Sequence, residues 1–227
     1  MTGPASTPSA ERGPGSITKH ALLIAVEGTD GAGKTTAALS LVEELRARGR
    51  SVTWFPNRTL RPVREALNRL AREEGLDDRF ALFGRDFAQL LSGVSKWREL
   101  LDLEPALARP DHVVVVDRYL HAQFALARAF DTGNEPLLRR LFAAFPAPDA
   151  VVYLDLDPAV AAERVLRRGR DRNAVEFLRE FRTAFHALPE FPSFHVIDAA
   201  RPPDQVARQA LDAVAPLLAG HDANAAA

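Results

Sequence analysis

The chain has 227 residues, 47% of them hydrophobic, which is long and apolar enough for one α/β domain with a substantial core and excludes a disordered chain. A formal net charge of −1 gives no chain-wide surface for nucleic acid, and the absence of cysteine excludes disulfides and cysteine-ligated zinc. Of the 29 basic residues only Lys19, Lys34 and Lys96 are lysines.

Residues 1–17, rich in Pro, Ser, Thr and Gly and without an apolar stretch of export-signal length, read as a disordered tail. The Ala-rich residues 220–227 read as a second tail, which leaves a single domain over 18–219. The first apolar run, 21–26, has the length of a strand and is far too short to span a membrane; a cytoplasmic protein with no membrane partner is expected. A helix follows over about 36–48, and 51–55 is a second strand stopped by Pro56. Helical spacing of apolar residues covers 61–72 and 78–103, with a break near Gly93, and Pro105 and Pro110 mark the exit. The β-branched run 112–116 predicts a strand buried on both faces. Further strands are expected at 149–154 and 193–197. Helices are expected near 119–130, 135–145, 158–168, 173–187 and 203–218. Asp157-Pro158 is a helix-start signal, an acceptor at the N-cap followed by Pro where no N–H is needed. This β/α alternation predicts a five-stranded parallel sheet with helices on both faces.

Between the first strand and its helix stands Gly28-Thr29-Asp30-Gly31-Ala32-Gly33-Lys34-Thr35, a full G-x-x-x-x-G-K-[ST] phosphate loop in the strand–loop–helix setting that gives it a mechanism. Its glycines let the backbone N–H groups face phosphate oxygens at a helix N-terminus that favours negative charge. Lys34 is placed to reach the β- and γ-phosphates of a nucleoside triphosphate, and the Thr35 hydroxyl to ligate Mg²⁺. Ligands of such sheets bind beyond the carboxyl ends of the strands. Arg58 follows the second strand there, Asp117-Arg118-Tyr119 follows the third, and Arg167, Arg168, Arg170 and Arg172 crowd a Gly-containing segment further on. An acid in the position of Asp117 is where P-loop enzymes hold Mg²⁺, often through water. The histidines lack metal-like spacing.

In this order the motifs resemble the thymidylate kinases, P-loop enzymes that transfer the γ-phosphoryl of ATP to dTMP. The resemblance covers about residues 20–218: the loop from Glu27 to Thr36, Asp117-Arg118-Tyr119, Leu154-Asp155-Leu156 with Asp157-Pro158, Arg167-Arg168-Gly169 with Asp171-Arg172, Phe181-Arg182 with Phe185, and Val196-Ile197-Asp198-Ala199. It implies that Gly28, Thr29, Asp30, Gly31, Ala32, Gly33, Lys34, Thr35 and Thr36 bind ATP, and that Thr35 and Asp117 place Mg²⁺. It further implies that Arg58 and Arg118 grip the acceptor's 5′-phosphate, that Asp30 lies near its sugar and that Phe83 stacks on its base. Gly31 stands where some members carry a catalytic arginine. The charge is therefore expected from a short arginine-rich lid, with Arg168 and Arg172 favoured. A homodimer is implied as well.

The base-binding side departs from the family. Phe87 stands where an arginine contacts thymine, and Ala122, Leu126 and Ala127 replace a Ser and a Tyr-Gln pair. Weaker thymine selectivity, or another preferred base, is therefore expected. The alternatives are the same chemistry on another nucleotide, a nucleoside or a specialised metabolite, a degenerate nucleotide binder, and a nucleotide-dependent switch. No N-K-x-D guanine signature supports the last.

Overall fold

The computed structural model describes residues 16–58, 61–169 and 175–225. Five parallel strands form one sheet: β1 (Leu22–Gly28), β2 (Ser51–Phe55), β3 (His112–Asp117), β4 (Ala150–Asp155) and β5 (His195–Asp198), in the order β2-β3-β1-β4-β5. The two central neighbours, β1 and β3, are buried at every residue, as their continuous apolar runs require, whereas the edge strands β2 and β5 are largely accessible.

Alternation along β1 divides the core in two. Leu22, Ile24 and Val26 face α1 (Lys34–Ala47) and α10 (Pro203–Ala225). Leu23 and Ala25 face the other way, toward Leu100 at the end of α4 (Arg85–Leu100), Phe124 of α6 (His121–Ala129) and Phe181 and Phe185 of α9 (Val175–His186). Glu27, next in the alternation, falls on this second face. The remaining helices are α2 (Arg61–Glu73), α3 (Arg79–Phe83), α5 (Glu104–Leu107), α7 (Glu135–Phe142) and α8 (Pro158–Arg167). The expected five-stranded parallel α/β architecture is what the chain forms.

Three boundaries differ from the sequence expectation. The segment 78–103 breaks at Gly84, not Gly93: Asp78 caps α3 by accepting the Phe80 and Ala81 N–H groups, and Gly84 then takes φ 78°, a conformation that costs a glycine little. Gly93 stays helical, and its missing side chain admits α7; a Cβ there would lie 2.3 Å from Leu138 Cδ2. Ile17, assigned to the tail by its polar neighbours, is buried and donates its N–H to Ala144 O at 3.0 Å. Helix α10 runs past 219 to Ala225.

Candidate active site

The phosphate loop leaves β1 at Gly28 and enters α1 at Lys34, with Gly33 at φ 90° as N-cap. Two of its glycines are required by close approach. A Cβ on Gly28 would lie 2.6 Å from Leu154 O on β4, and one on Gly31 only 2.4 Å from Ala161 O on α8. The loop is thus pressed against the neighbouring strand and helix, and no side chain, arginine included, fits at position 31 without displacing backbone. The first N–H groups of α1 have no intrahelical acceptor and are directed to the loop's concavity. Lys34 is 7% exposed and its Nζ donates to Thr29 O at 2.7 Å. Burial lowers its pKa to about 8, with Arg118 adding to the effect.

The end of β3 clasps this loop. Thr35 Oγ donates to Asp117 Oδ2 at 2.6 Å, across 82 positions of sequence, while Asp117 Oδ1 is buried with no protein partner. Arg118 adopts φ 63°, donates its N–H to Val26 O at 3.0 Å and turns its guanidinium onto the Asp30 carboxylate, over the Phe181 ring at 5.5 Å. A left-handed arginine is strained, and strain of this kind collects at functional sites. Burial opposes the charge on Arg118, but Asp30, Asp117 and Glu27 outweigh it and raise its pKa.

Several further residues of this region stand outside the site roles expected from sequence. Glu27 is fully buried: Oε1 accepts the Tyr119 N–H at 2.9 Å, Oε2 has no partner, and burial pushes its pKa up to about 7. His121 Nδ1 lies 3.9 Å from Glu27, between the rings of Phe124 and Phe194, and burial holds the imidazole down to about 4. Lys96 of α4 is buried beside Asn57 and Glu99. Arg182 of α9 grips Asp155, at the end of β4, with two bonds of 2.6 Å. The rarity of lysine is the one sequence signal that marks Lys96; the burial of Glu27 and the Asp155–Arg182 pairing exist only in three dimensions.

The other expected site residues are less closely gathered. The Arg58 side chain is 62% exposed and leans on Asp102 at 3.5 Å, while its backbone N–H donates to Glu99 Oε1 at 2.9 Å. Phe83 is 38% exposed, 5.7 Å from the ring of Phe87, in a cleft with Val63, Leu67 and Leu91. Ala122 and Ala127 are fully buried in the core. Thr36 is exposed on the first turn of α1. Arg167 pairs with Glu163 at 2.9 Å, and exposed Arg168 is the C-cap of α8. Arg170 and Arg172 lie outside the described residues. No cluster of three metal-ligating side chains occurs among the described residues, and none of their helices is long and apolar enough to cross a membrane.

A family model described as Thymidylate kinase matches residues 26–210. The chain is 38% identical over 194 residues to a thymidylate kinase of Xanthomonas euvesicatoria, an overlap of 83% of this chain and 81% of the relative. It is 36% identical over 208 residues to one from Xanthomonas campestris, covering 89% and 87%. A thymidylate kinase of Deinococcus radiodurans is 35% identical over 204 residues, covering 82% and 92%. The phosphate loop clasped by Asp117 and Arg118 stands inside the matched segment, and the chain belongs to the thymidylate kinase family.

Proposed function

We propose that this protein transfers the γ-phosphoryl of ATP to the 5′-phosphate of dTMP, giving dTDP and ADP. The observation that carries the reading is the double clasp at the carboxyl edge of the sheet: Thr35 to Asp117 on the donor side, Asp30 to Arg118 on the acceptor side. It sets a triphosphate loop and a buried arginine against each other at one point. Phosphoryl transfer needs alignment and positive charge far more than covalent help.

The loop amides from Gly28 to Thr36 and Lys34 hold the donor phosphates. Lys34 leaves Thr29 O to do so, and a phosphate anion beside it restores the full charge that burial disfavours. Arg118 holds the acceptor phosphate while Asp30 fixes the guanidinium. Arg58 joins it only by turning away from Asp102. The open oxygen of Asp117 and the Thr35 hydroxyl are hard oxygen donors that suit Mg²⁺. When bound, Mg²⁺ neutralises charge on the donor phosphates. The lid arginines, Arg168 and Arg172 foremost, supply the remaining charge, since the backbone at Ala161 excludes an arginine at position 31. Phe83 offers a stacking face to the acceptor base. A homodimer fits the exposed apolar side chains Leu70 on α2 and Val94 on α4.

The test is ADP release with ATP and Mg²⁺ over the nucleoside monophosphates and their nucleosides. dTMP-dependent turnover is expected, lost by orders of magnitude in Lys34→Ala at an unchanged melting temperature. A folded Lys34→Ala protein with near-normal turnover, or a wild type inactive on every nucleotide, overturns the reading.

A further inference from the structure

We propose that Lys96 is a second ligand of the acceptor's 5′-phosphate, delivered by α4 to the side opposite Arg118. The inference rests on the acceptor reading above and adds to it a residue on a different element.

Lys96 lies on the buried face of α4, with Ala88, Gln89, Gly93 and Leu100, and is 5% exposed. Its Nζ reaches Asn57 Oδ1 at 3.2 Å. Phe55, the last residue of β2, pairs with Val116 of β3, and Asn57 follows two residues beyond it at the carboxyl edge of the sheet, the edge at which Arg118 follows β3. The ammonium is therefore held at the same carboxyl edge of the sheet as Arg118. It also lies within the field of Glu27 and Asp117, the acids that end β1 and β3 and act on Lys34 and Arg118 as well.

The hydrogen bonding of Lys96 is incomplete for a purely structural cation. An ammonium has three donors, and charge-assisted N–H···O bonds run at about 2.7–2.9 Å. Here Nζ makes one bond to Asn57 and one of 3.4 Å to Glu99 Oε1, an oxygen that already accepts the Arg58 N–H at 2.9 Å. The third N–H has no partner among the described residues. Burying an ammonium with one donor unmet is costly, and burial depresses its pKa. A phosphate dianion between Lys96 and Arg118 meets that need. A compact point charge on a flexible stem suits the position better than a guanidinium fork, in a chain where lysine is otherwise almost wholly replaced by arginine. Arg58, in contrast, is 62% exposed and turned toward Asp102.

The experiment compares dTMP with thymidine, which differ only in the phosphate, by calorimetric affinity in the wild type, Lys96→Met, Arg58→Ala and the double variant Lys96→Met/Glu27→Gln. Lys96→Met is expected to weaken dTMP roughly ten- to hundredfold while thymidine and ATP affinities stay within about twofold. Arg58→Ala is expected to cost less, and the double variant to recover no dTMP affinity. In the wild type, ¹⁵N-lysine spectra hold only three side-chain signals, and dTMP is expected to shift that of Lys96 whereas thymidine leaves it in place. The spectrum decides the question even if Lys96→Met fails to fold. Equal losses for dTMP and thymidine, recovery of dTMP binding by Glu27→Gln, or a Lys96 signal indifferent to dTMP each overturn the proposal. A wild type that binds dTMP no better than thymidine overturns the acceptor reading itself, whereas a gap undiminished in Lys96→Met overturns only the role of Lys96.

Discussion

Glu27 couples the site to pH through one side chain. In the folded chain burial raises its pKa to about 7, against an ordinary value of 4.5 when unfolded. Between those values the folded state binds the proton that the unfolded state has released, so this group's contribution to stability falls as pH rises from 4.5 to 7 and is flat outside that window. The full swing is on the order of 3 kcal/mol. Glu27→Gln keeps an acceptor for the Tyr119 N–H and removes the titration. Denaturant unfolding at pH 5, 6, 7 and 8 is expected to show the variant gaining on the wild type through the window and levelling above pH 7; a constant difference would mean that Glu27 ionises as an exposed carboxylate does. Residue identities pointed to Lys34, Thr35, Asp117 and Arg118, and the fold brings Thr35 against Asp117 and Arg118 against Asp30 beside the buried Lys34. They gave Glu27 no role of its own and marked Lys96 only by the rarity of lysine, because a carboxylate before a glycine and a lysine in a helix acquire meaning only once burial has taken their water away.

At the scale of the element, caps and glycines decide where helices start and stop, and α8 carries this into function. The Asp157 carboxylate accepts the Ala159 N–H at 2.8 Å and the Val160 N–H at 3.4 Å, fixing the helix that supports Gly31 at one end and Arg168 at the other. Asp157→Ala is expected to cost about 0.5–2 kcal/mol, measured as a lower denaturation midpoint, with reduced kcat because the loop loses its backing. The lid that follows α8 is expected to act on the transition state. Replacing Arg167, Arg168, Arg170 and Arg172 by Ala in turn should expose one or two whose loss lowers kcat far more than it raises KM. Four variants with normal kcat would move that charge to another element, with Arg182, forked onto Asp155 at the end of β4, the first to examine. The helix start at Asp157-Pro158 was legible because capping is local. The break at Gly84 was not, since both Gly84 and Gly93 interrupt the same apolar periodicity and only the packing of Leu138 against Gly93 shows which one stays helical.

For the molecule as a whole, base recognition is expected to depend on how α3, α4 and α6 come together rather than on any one motif. Phe83 and Phe87 present partly exposed rings, and Ala122 and Ala127 are sealed in the core, so the family's polar readers of thymine have no counterpart at those positions. Stacking accepts any base and discriminates poorly, whereas a dedicated polar readout reaches roughly 10⁴–10⁵. Comparing kcat/KM for dTMP with dUMP, dCMP, dGMP and dAMP is expected to give a preference for dTMP below about a thousandfold over dCMP and the purine nucleotides. A larger preference would require a polar reader recruited from elsewhere in the fold. The phosphate loop, the alternation of strands and helices and the acids and arginines at the strand ends are legible in the chain before it folds, because contiguous residues encode them through local spacing and backbone preference. The strand order, the contact of Thr35 with Asp117 across 82 positions and of Lys96 with Asn57 across 39, and the burial that raises the pKa of Glu27 arise only in the folded chain. Those depend on which faces pack together and which charges lose their water, and both are properties of the assembled sheet and helices.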